Sequence, residues 1–229
     1  MKKFRFAALL TALALALVMP FAVAEEAIDP AQLMEDVAGT YVPLFSVLNK
    51  PEYDEVWLSH SAEVVGEENA QAVADMLRAS TTAEIYGPEA VEAYAADPDS
   101  MRFDCYFTEG VSKFVFDGNT VTGLDENGNE VFSHSYTYVQ ELPEAISCYA
   151  YKTDDADAGE FTYICLAPDT PATTWHIEFR YGDDIEALGQ MYEGKYAFWQ
   201  AAGMLEDADD EMIDNCIELF CTENASEEE

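Results

Sequence analysis

The sequence predicts a mainly β protein with helices (α+β), in which an antiparallel barrel or strongly curled sheet carries helices from the N-terminal third and from the C-terminus. The apolar residues have helical spacing before residue 100, and from residue 101 onward their period becomes two. Turn residues then interrupt the chain at short intervals, and helical spacing returns near the C-terminus. These observations together define the predicted class.

The N-terminus has the layout of a cleavable secretory signal. Basic residues precede an apolar run at 6–18, and an Ala-Val-Ala triplet follows at 22–24. The run is short for a bilayer span, and no cysteine adjoins the cleavage point for lipid attachment. We therefore expect a secreted or periplasmic protein with no membrane span after cleavage, and residues 1–24 are left out of the fold.

The composition and net charge exclude some classes of protein. Of 229 residues, 49% are hydrophobic and 13% aromatic, which excludes a disordered chain and fits one globular domain. The signal contains three of the ten basic residues and none of the 46 acidic ones, so the mature chain has a formal net charge of about −39. This charge argues against a nucleic-acid partner and favours cations.

The cysteines do not have the spacing of a zinc finger. Five cysteines in an exported chain permit one or two disulfides and leave at least one thiol unpaired. Because no CxxC pair is present, neither a zinc ribbon nor a redox motif is indicated. The expectation is buried, partly paired cysteines at positions 105, 148, 165, 216 and 221.

The N-terminal third predicts helices. Asp29 followed by Pro30 is an N-cap with proline at the first helical position, and it opens a short helix that ends near Gly39. The aromatic stretch 39–57 contains two prolines and is expected to be a packed, irregular or short helical segment. Helical spacing predicts a helix over 67–80, and a further short helix is predicted from Pro88.

Seven strands are predicted from residue 101 onward, because the segments are rich in aromatic and β-branched residues. Turn residues separate them, including a loop that contains Pro143. A meander of this kind is typical of an antiparallel barrel or a curled sheet. The predicted strands cover 101–108, 111–116, 120–124, 130–139, 146–152, 161–167 and 173–181.

Two helices are predicted after the last strand. An amphipathic helix would begin at Asp183 or Asp184, end before Gly203 and dock against the barrel. A final helix over 207–221 has acidic residues in its first turn. The acidic tail that follows is expected to be disordered.

The last predicted strand carries the strongest candidate ligands. His176 and Glu178 are two residues apart, so their side chains project from one face and can converge on a cation. Arg180 lies on the same face. In the alternative interpretation, Glu178 pairs with Arg180 or with nearby donors, and His176 is a hydrogen-bonded barrel residue.

The other two histidines give weaker signals. His134 lies in a strand among aromatic residues and is a reserve ligand candidate. His60 has no spacing that points to a site and is expected at the surface. The chain lacks GxSxG, HExxH, GxxxxGK and CxxC motifs, and no nucleophile and base are paired, so we do not expect an enzyme.

Three stretches resemble the ZinT (YodA) family of exported zinc- and cadmium-binding proteins, which have a lipocalin-like, calycin-type barrel. Segment 110–139 is similar to the consecutive hairpins of that family, 39–57 to its aromatic N-terminal segment, and 176–188 to its metal-binding strand and following helix. The implied layout is a signal peptide at 1–24, a lead-in at 25–38, a single ZinT-like domain at 39–222 and an acidic tail at 223–229.

The resemblance also implies a ligand set. The stretch HIEFRYGDD keeps the register of the family's His-x-His strand, so His176 matches the first histidine and Glu178 replaces the second. A further family histidine comes just before an Ala-Pro pair, and the aligned position here is Ile164 or Ala167. Cys165 is a weaker substitute ligand, because alternation would require a bulge or a register shift there.

Two functional hypotheses follow. The first is an exported protein that binds zinc or a similar divalent cation through a reduced ligand set, for buffering or for delivery to a metal transporter system. The alternative is a calycin-like barrel that has lost the metal and binds a small organic ligand or a protein partner. In that case Glu178 would be saturated by Arg180, and His176 would be hydrogen-bonded to protein groups.

Overall fold

The structure is a computed structural model that describes residues 28–142 and 148–225. The predicted signal at 1–24, the loop at Pro143 and the acidic residues after 225 lie outside the described residues. Among the helices of the described ranges, none has the length and apolar character needed to cross a membrane.

A single antiparallel sheet of nine strands dominates the described chain and curls into a half-barrel. The order of the strands is β4-β3-β2-β1-β9-β8-β7-β6-β5. The first and last strands in the chain, β1 and β9, therefore pair near the centre of the sheet. This arrangement confirms the predicted α+β class. The strands are β1 Gly39–Pro43, β2 Lys113–Asp117, β3 Thr120–Leu124, β4 Glu130–Ser135, β5 Thr137–Leu142, β6 Cys148–Lys152, β7 Tyr163–Leu166, β8 Ile177–Gly182 and β9 Ala201–Leu205.

Most of the helices cover one face of the sheet, whereas the first helix and the short helix at Ile185–Leu188 contribute Leu33 and Leu188 to the core on the other face. Asp29 caps the first of them as predicted, because its carboxylate accepts the Ala31 amide at 3.0 Å. The last helix packs on the third, where the rings of Phe220 and Trp57 meet edge to face at 5.8 Å. The described helices are α1 Pro30–Asp36, α2 Leu44–Leu48, α3 Asp54–Val65, α4 Ala70–Ser80, α5 Pro88–Ala96, α6 Ile185–Leu188 and α7 Asp210–Ala225.

The sheet separates two hydrophobic cores. Inside the curl the core is largely aromatic, and Phe114 and Phe179 lie at its centre with their rings 4.9 Å apart. The second core fills the space between the sheet and the helices, and includes Trp57 and Met204. Adjacent residues of a strand therefore enter different cores, which makes the period of two visible in the sequence.

The strand predictions are confirmed in part. Strand β3 has the predicted bounds, whereas the predicted strand 130–139 is divided between β4 and β5. Tyr136 lies between them, is buried, and donates its hydroxyl to the Phe161 carbonyl. The predicted strand 101–108 is wrong, because this stretch lies outside the sheet and pairs only through an isolated bridge residue, Asp104.

The amphipathic helix predicted from Asp183 or Asp184 to Gly203 is wrong. The structure has the short helix α6, an irregular segment, and then β9. The aromatic residues that suggested a helical stripe, Tyr196 and Trp199, contact the inner core from the irregular segment. Strand β9 reads AAGML and is almost wholly buried, so it shows no alternation that would distinguish it from a helix.

Three further elements differ from expectation. The aromatic stretch 39–57 contains a strand, β1, because Pro43 occupies its last position, where proline is tolerated. Helix α3 includes His60, which was expected at the surface but has a side chain only 13% exposed. Helix α7 continues to Ala225, so residues 223–225 belong to the fold rather than to a disordered tail.

Candidate metal centre

The candidate ligand pair lies where a turn leads into β8. The amides of Thr173 and Thr174 both donate to the Thr170 carbonyl, which closes the turn. Trp175 then adopts a φ of 62°, an unusual conformation for a bulky residue, and packs against the helical core. Strand β8 begins at Ile177 rather than at residue 173, so His176 is the last residue before the strand.

His176 and Glu178 converge as predicted. The Nδ1 atom of His176 is 2.7 Å from the Thr174 carbonyl oxygen, so Nδ1 carries the proton and donates to it. The other ring nitrogen, Nε2, is 3.7 Å from Glu178 Oε1. The two side chains are only 12% and 17% exposed. An imidazole whose Nδ1 is held by a backbone carbonyl, so that Nε2 faces another ligand group, has the arrangement common among metal-binding histidines.

Three more ionisable residues surround this pair and could supply further ligands. Cys216 on α7 places its Sγ 3.7 Å from His176 Nδ1. Burial, with a contribution from Glu178, raises the pKa of Asp169 to about 6. Glu223 is an exposed residue by its solvent-accessible area, but partial burial of its carboxyl raises its pKa to about 7, and Glu178 and Asp169 add to that effect.

The pKa of His176 reflects the same neighbours. Burial alone would lower it, because the imidazolium is costly to desolvate. Cys216, Glu178 and Asp169 outweigh that effect, so the pKa of His176 lies well above its ordinary value. The site therefore stabilises positive charge, which is the property that a cation site requires.

Arg180 does not neutralise Glu178. Its guanidinium is buried and turns toward the segment after β8, where it donates to the carbonyls of Leu188, Gln190 and Tyr196. Burial lowers the pKa of Arg180 to about 10, so the side chain is still charged at neutral pH. The ion pair expected for a metal-free site is therefore replaced by backbone contacts, and Glu178 faces His176.

Cys165 lies on the same face of the sheet as Glu178, but two residues earlier in the chain than Ala167, the residue beside Glu178. It is paired across the strands with Arg180, and its thiol interacts with Cys148. The pairing of β7 with β8 has no register shift, and Ile164 lies opposite Tyr181 in the inner core. The Ala167 amide donates to the Glu178 carbonyl, which places Ala167 beside Glu178. Of the two positions aligned with the missing histidine, Ala167 is the one on the ligand face.

The structure does not bring the other histidines to His176. His134 lies on β4, which four intervening strands separate from β8 in the sheet order, and its Nδ1 is 2.7 Å from Asp155 Oδ2. His60 lies on α3 beside Glu63. Within the described ranges, the one group with three ligand atoms all within 4.8 Å of one another is His60, Glu63 and Glu218.

The thiols are all buried, and in the structure all five are free of disulfides. The expectation of partly paired cysteines is therefore wrong for this structure. Burial raises the pKa of the Cys105 thiol well above its ordinary value, and Glu178 adds to that effect. Thiols in such surroundings behave as apolar core residues.

Sequence reasoning missed Asp169, Cys216 and Glu223. Asp169 is seven residues before His176 in a turn, and the other two are one seven-residue repeat apart on one side of α7. The helical repeat was visible in the sequence, but nothing indicated that this side of α7 would cover the start of β8. The contact depends on how the chain ends pack on the sheet.

The fold belongs to a recognisable class, a curled antiparallel sheet covered by helices with a candidate ligand pair on its outer face. It is similar to the Zn(II)-bound ZinT-like domain of Streptococcus pneumoniae AdcA, with 15% identity and a TM-score of 0.52 over 87% of this chain and 94% of that chain. Zn(II)-bound AdcA from Streptococcus pneumoniae is 16% identical with a TM-score of 0.46, covering 88% of this chain and 41% of that one. The first similarity confirms the predicted ZinT-like fold, and at this identity it shows the fold alone. No family model and no curated sequence matches the chain.

Proposed function

We propose that this protein binds a divalent metal ion, zinc in the first instance, at His176 Nε2 and Glu178. One observation carries the proposal. The Thr174 carbonyl fixes the His176 ring so that Nε2 faces the Glu178 carboxylate at 3.7 Å, while Arg180 is directed elsewhere. The similar ZinT-like domain of AdcA is Zn(II)-bound, which supports this choice of metal.

The ligand chemistry fits zinc. Imidazole nitrogen, carboxylate oxygen and thiolate sulfur are all accepted zinc ligands. Asp169 is our first candidate for the third ligand, because it interacts with both His176 and Glu178 and hydrogen-bonds Thr174. Cys216 is the second candidate, but its sulfur lies on the Nδ1 side of the ring. A shell of two or three protein ligands leaves a position for water and suits transferable binding.

Cys165 and His134 stay predictions as ligands. Cys165 would have to leave the neighbourhood of Arg180 and Cys148 to reach the ion. His134 would have to leave Asp155. Neither rearrangement is required if Asp169 completes the site.

The physiological role proposed is metal buffering or delivery by an exported protein, with one domain at 39–222 after removal of the signal at 1–24. A metal transporter system is the proposed recipient of the ion. The acidic surface would raise the local concentration of divalent cations around the protein. No catalytic activity is proposed, because the Cys216 thiol beside the His176 imidazole is buried.

The test is calorimetric titration of the chelator-stripped mature protein, purified without a histidine tag. Wild type is expected to take up zinc, and His176→Ala to lose the corresponding binding event. His134→Ala is the matched control and is expected to bind as wild type does. Uptake that His176→Ala leaves unchanged would refute the proposal.

A gain-of-ligand variant tests the same site from the other direction. Ala167→His places an imidazole beside Glu178, on the ligand face of the sheet. We expect its zinc affinity to rise by about ten-fold or more, the scale on which one group near a metal changes affinity. Ile164→His is the control, because residue 164 faces the inner core. Circular dichroism would show which of these variants fold.

A further inference from the structure

We propose a second divalent-metal site between α3 and α7, with His60, Glu63 and Glu218 as its ligands. One ligand atom from each of these residues lies within 4.8 Å of the other two. His60 and Glu63 are three residues apart on α3, the spacing that brings helical side chains to one side. Glu218 reaches the same point from α7, so an ion here would link the two helices.

The spacing of these atoms suits a transition metal. Around zinc, ligand atoms about 2.1 Å from the metal in a tetrahedron are about 3.4 Å apart. His60 Nδ1 and Glu63 Oε2 are 3.7 Å apart, close to that value. Glu63 and Glu218 are exposed, so a small rotation of each side chain would complete the contact. A ligand set of one imidazole and two carboxylates favours zinc or manganese over the softer metals.

His60 differs from the other two histidines in its ring partners. His176 and His134 each have a ring nitrogen in a hydrogen bond of 2.7 Å. In His60 the Nδ1 atom is buried without a hydrogen-bond partner, while the side chain as a whole is only 13% exposed. A buried ring nitrogen is normally satisfied by a hydrogen bond to the protein. Because His60 Nδ1 faces a carboxylate and has no such bond, a metal ion would supply the partner that it lacks.

Asp214 adds an orienting contact behind the ring. Its Oδ2 is 3.4 Å from His60 Nε2, on the side opposite Nδ1. Carboxylate, imidazole and metal arranged in this way form a common unit, in which the outer carboxylate fixes the tautomer and raises the basicity of the ligand nitrogen. Asp214 is therefore a positioning residue, and the cluster is more than a group of acidic side chains.

The proposed site is separate from the one at His176, although both involve α7. Asp214 and Glu218 are one turn apart on this helix, whereas Cys216 and Glu223 lie about 180–200° around the axis from Asp214. The first pair faces α3 and the second faces the start of β8. Ions at the two sites would therefore hold α7 from opposite sides, against α3 and against the sheet.

Zinc titration of the intact mature protein against a chromophoric chelator tests this site. The buffer contains about 0.15 M salt and excess calcium, which screens the acidic surface and occupies unspecific carboxylates. Wild type is expected to bind two zinc ions per chain, and Glu218→Gln and His60→Gln one each. Glu92→Gln on α5 makes the same charge change on an exposed residue outside the cluster and is expected to bind two. Unchanged stoichiometry in both Glu218→Gln and His60→Gln would overturn the proposal.

The positioning role of Asp214 and the independence of the two sites need their own readouts. Asp214→Asn is expected to keep the binding event but to weaken it about ten-fold, with less proton release on binding. His176→Ala should retain the ion at His60. If His176→Ala binds no zinc while wild type binds one ion, the second site does not exist and the first does. If both His60→Gln and Glu218→Gln bind no zinc while His176→Ala binds as wild type does, the site at His60 exists and the site at His176 does not.

Discussion

The two faces of β8 differ in character, because one is packed into the aromatic core and the other carries charged side chains. On the inner face, Phe179 and Tyr181 are fully buried and packed against other aromatic rings. On the outer face, Glu178 and Arg180 are polar and lie beneath the helices and the segment after β8. The inner face depends on shape and apolar area, whereas the outer residues depend on specific polar partners.

The outer face is itself divided, because its two charged residues have different partners. Arg180 donates through both terminal nitrogens to three backbone carbonyls, while its buried Nε has no hydrogen-bond partner. Glu178 faces an imidazole, and its charge adds to the burial that raises the pKa of both Asp169 and Glu223. Adjacent like-charged groups of this kind are unfavourable without a cation, so this half of the face is where we propose that the ion binds.

The largest expected effect is on the inner face. Phe179→Ala removes a ring that contacts Phe107, Phe114 and Phe116, and leaves a cavity in the aromatic core. We expect the free energy of unfolding to fall by about 3–5 kcal/mol, measured by urea denaturation. Val139→Ala on β5, where the residue is 45% exposed, is the control and should change it by about 0.5 kcal/mol or less. A loss below about 1 kcal/mol for Phe179→Ala would contradict this description of the core.

The next effect concerns Arg180. Arg180→Ala removes the donors of three backbone carbonyls and leaves a cavity under the segment that follows β8. The expected loss is about 2–4 kcal/mol, because buried carbonyls would lose their partners. Lys50→Ala, at an exposed position, is the control. An unchanged urea midpoint for Arg180→Ala would show that water replaces the guanidinium at little cost.

Glu178→Gln separates binding from stability. The change preserves shape and removes the charge, so the zinc affinity is expected to fall about ten-fold or more. The free energy of unfolding should change by less than about 1 kcal/mol, because like charges at the site are reduced. Titration and urea denaturation of the same sample measure both quantities. A large loss of stability with unchanged zinc affinity would assign Glu178 to the structural half of the face.

The smallest effect is the pH dependence of the metal-free protein. The pKa of His176 is raised in the folded state, so its contribution to stability is fully present below the unfolded pKa of about 6.5. That contribution is lost as the pH rises through the folded pKa. An NMR titration of the imidazole in wild type and in Glu178→Gln measures the shift, and the variant should have the lower pKa. Equal values in the two proteins would mean that Glu178 does not contribute.

The sequence predicted the fold class and the proximity of His176 and Glu178 because both depend on local patterns. Alternation revealed most of the sheet, and the two-residue spacing brought His176 and Glu178 together even though His176 precedes the strand. Strand β9 was hidden, since burial on both faces removes alternation. The third-ligand candidates Asp169, Cys216 and Glu223 were hidden for another reason. Their proximity arises from packing between distant segments, which leaves no periodic trace.

The contacts of Arg180 have a consequence for the motion of the chain. The irregular segment after α6 lacks the internal ladder of a helix, and two of its carbonyls, with that of Leu188, are held by one side chain of β8. The conformation of this segment therefore depends on Arg180 of β8 more than on hydrogen bonds within the segment. Amide hydrogens of this segment should exchange together, as one cooperative opening that breaks the guanidinium contacts and leaves the rest of the sheet closed.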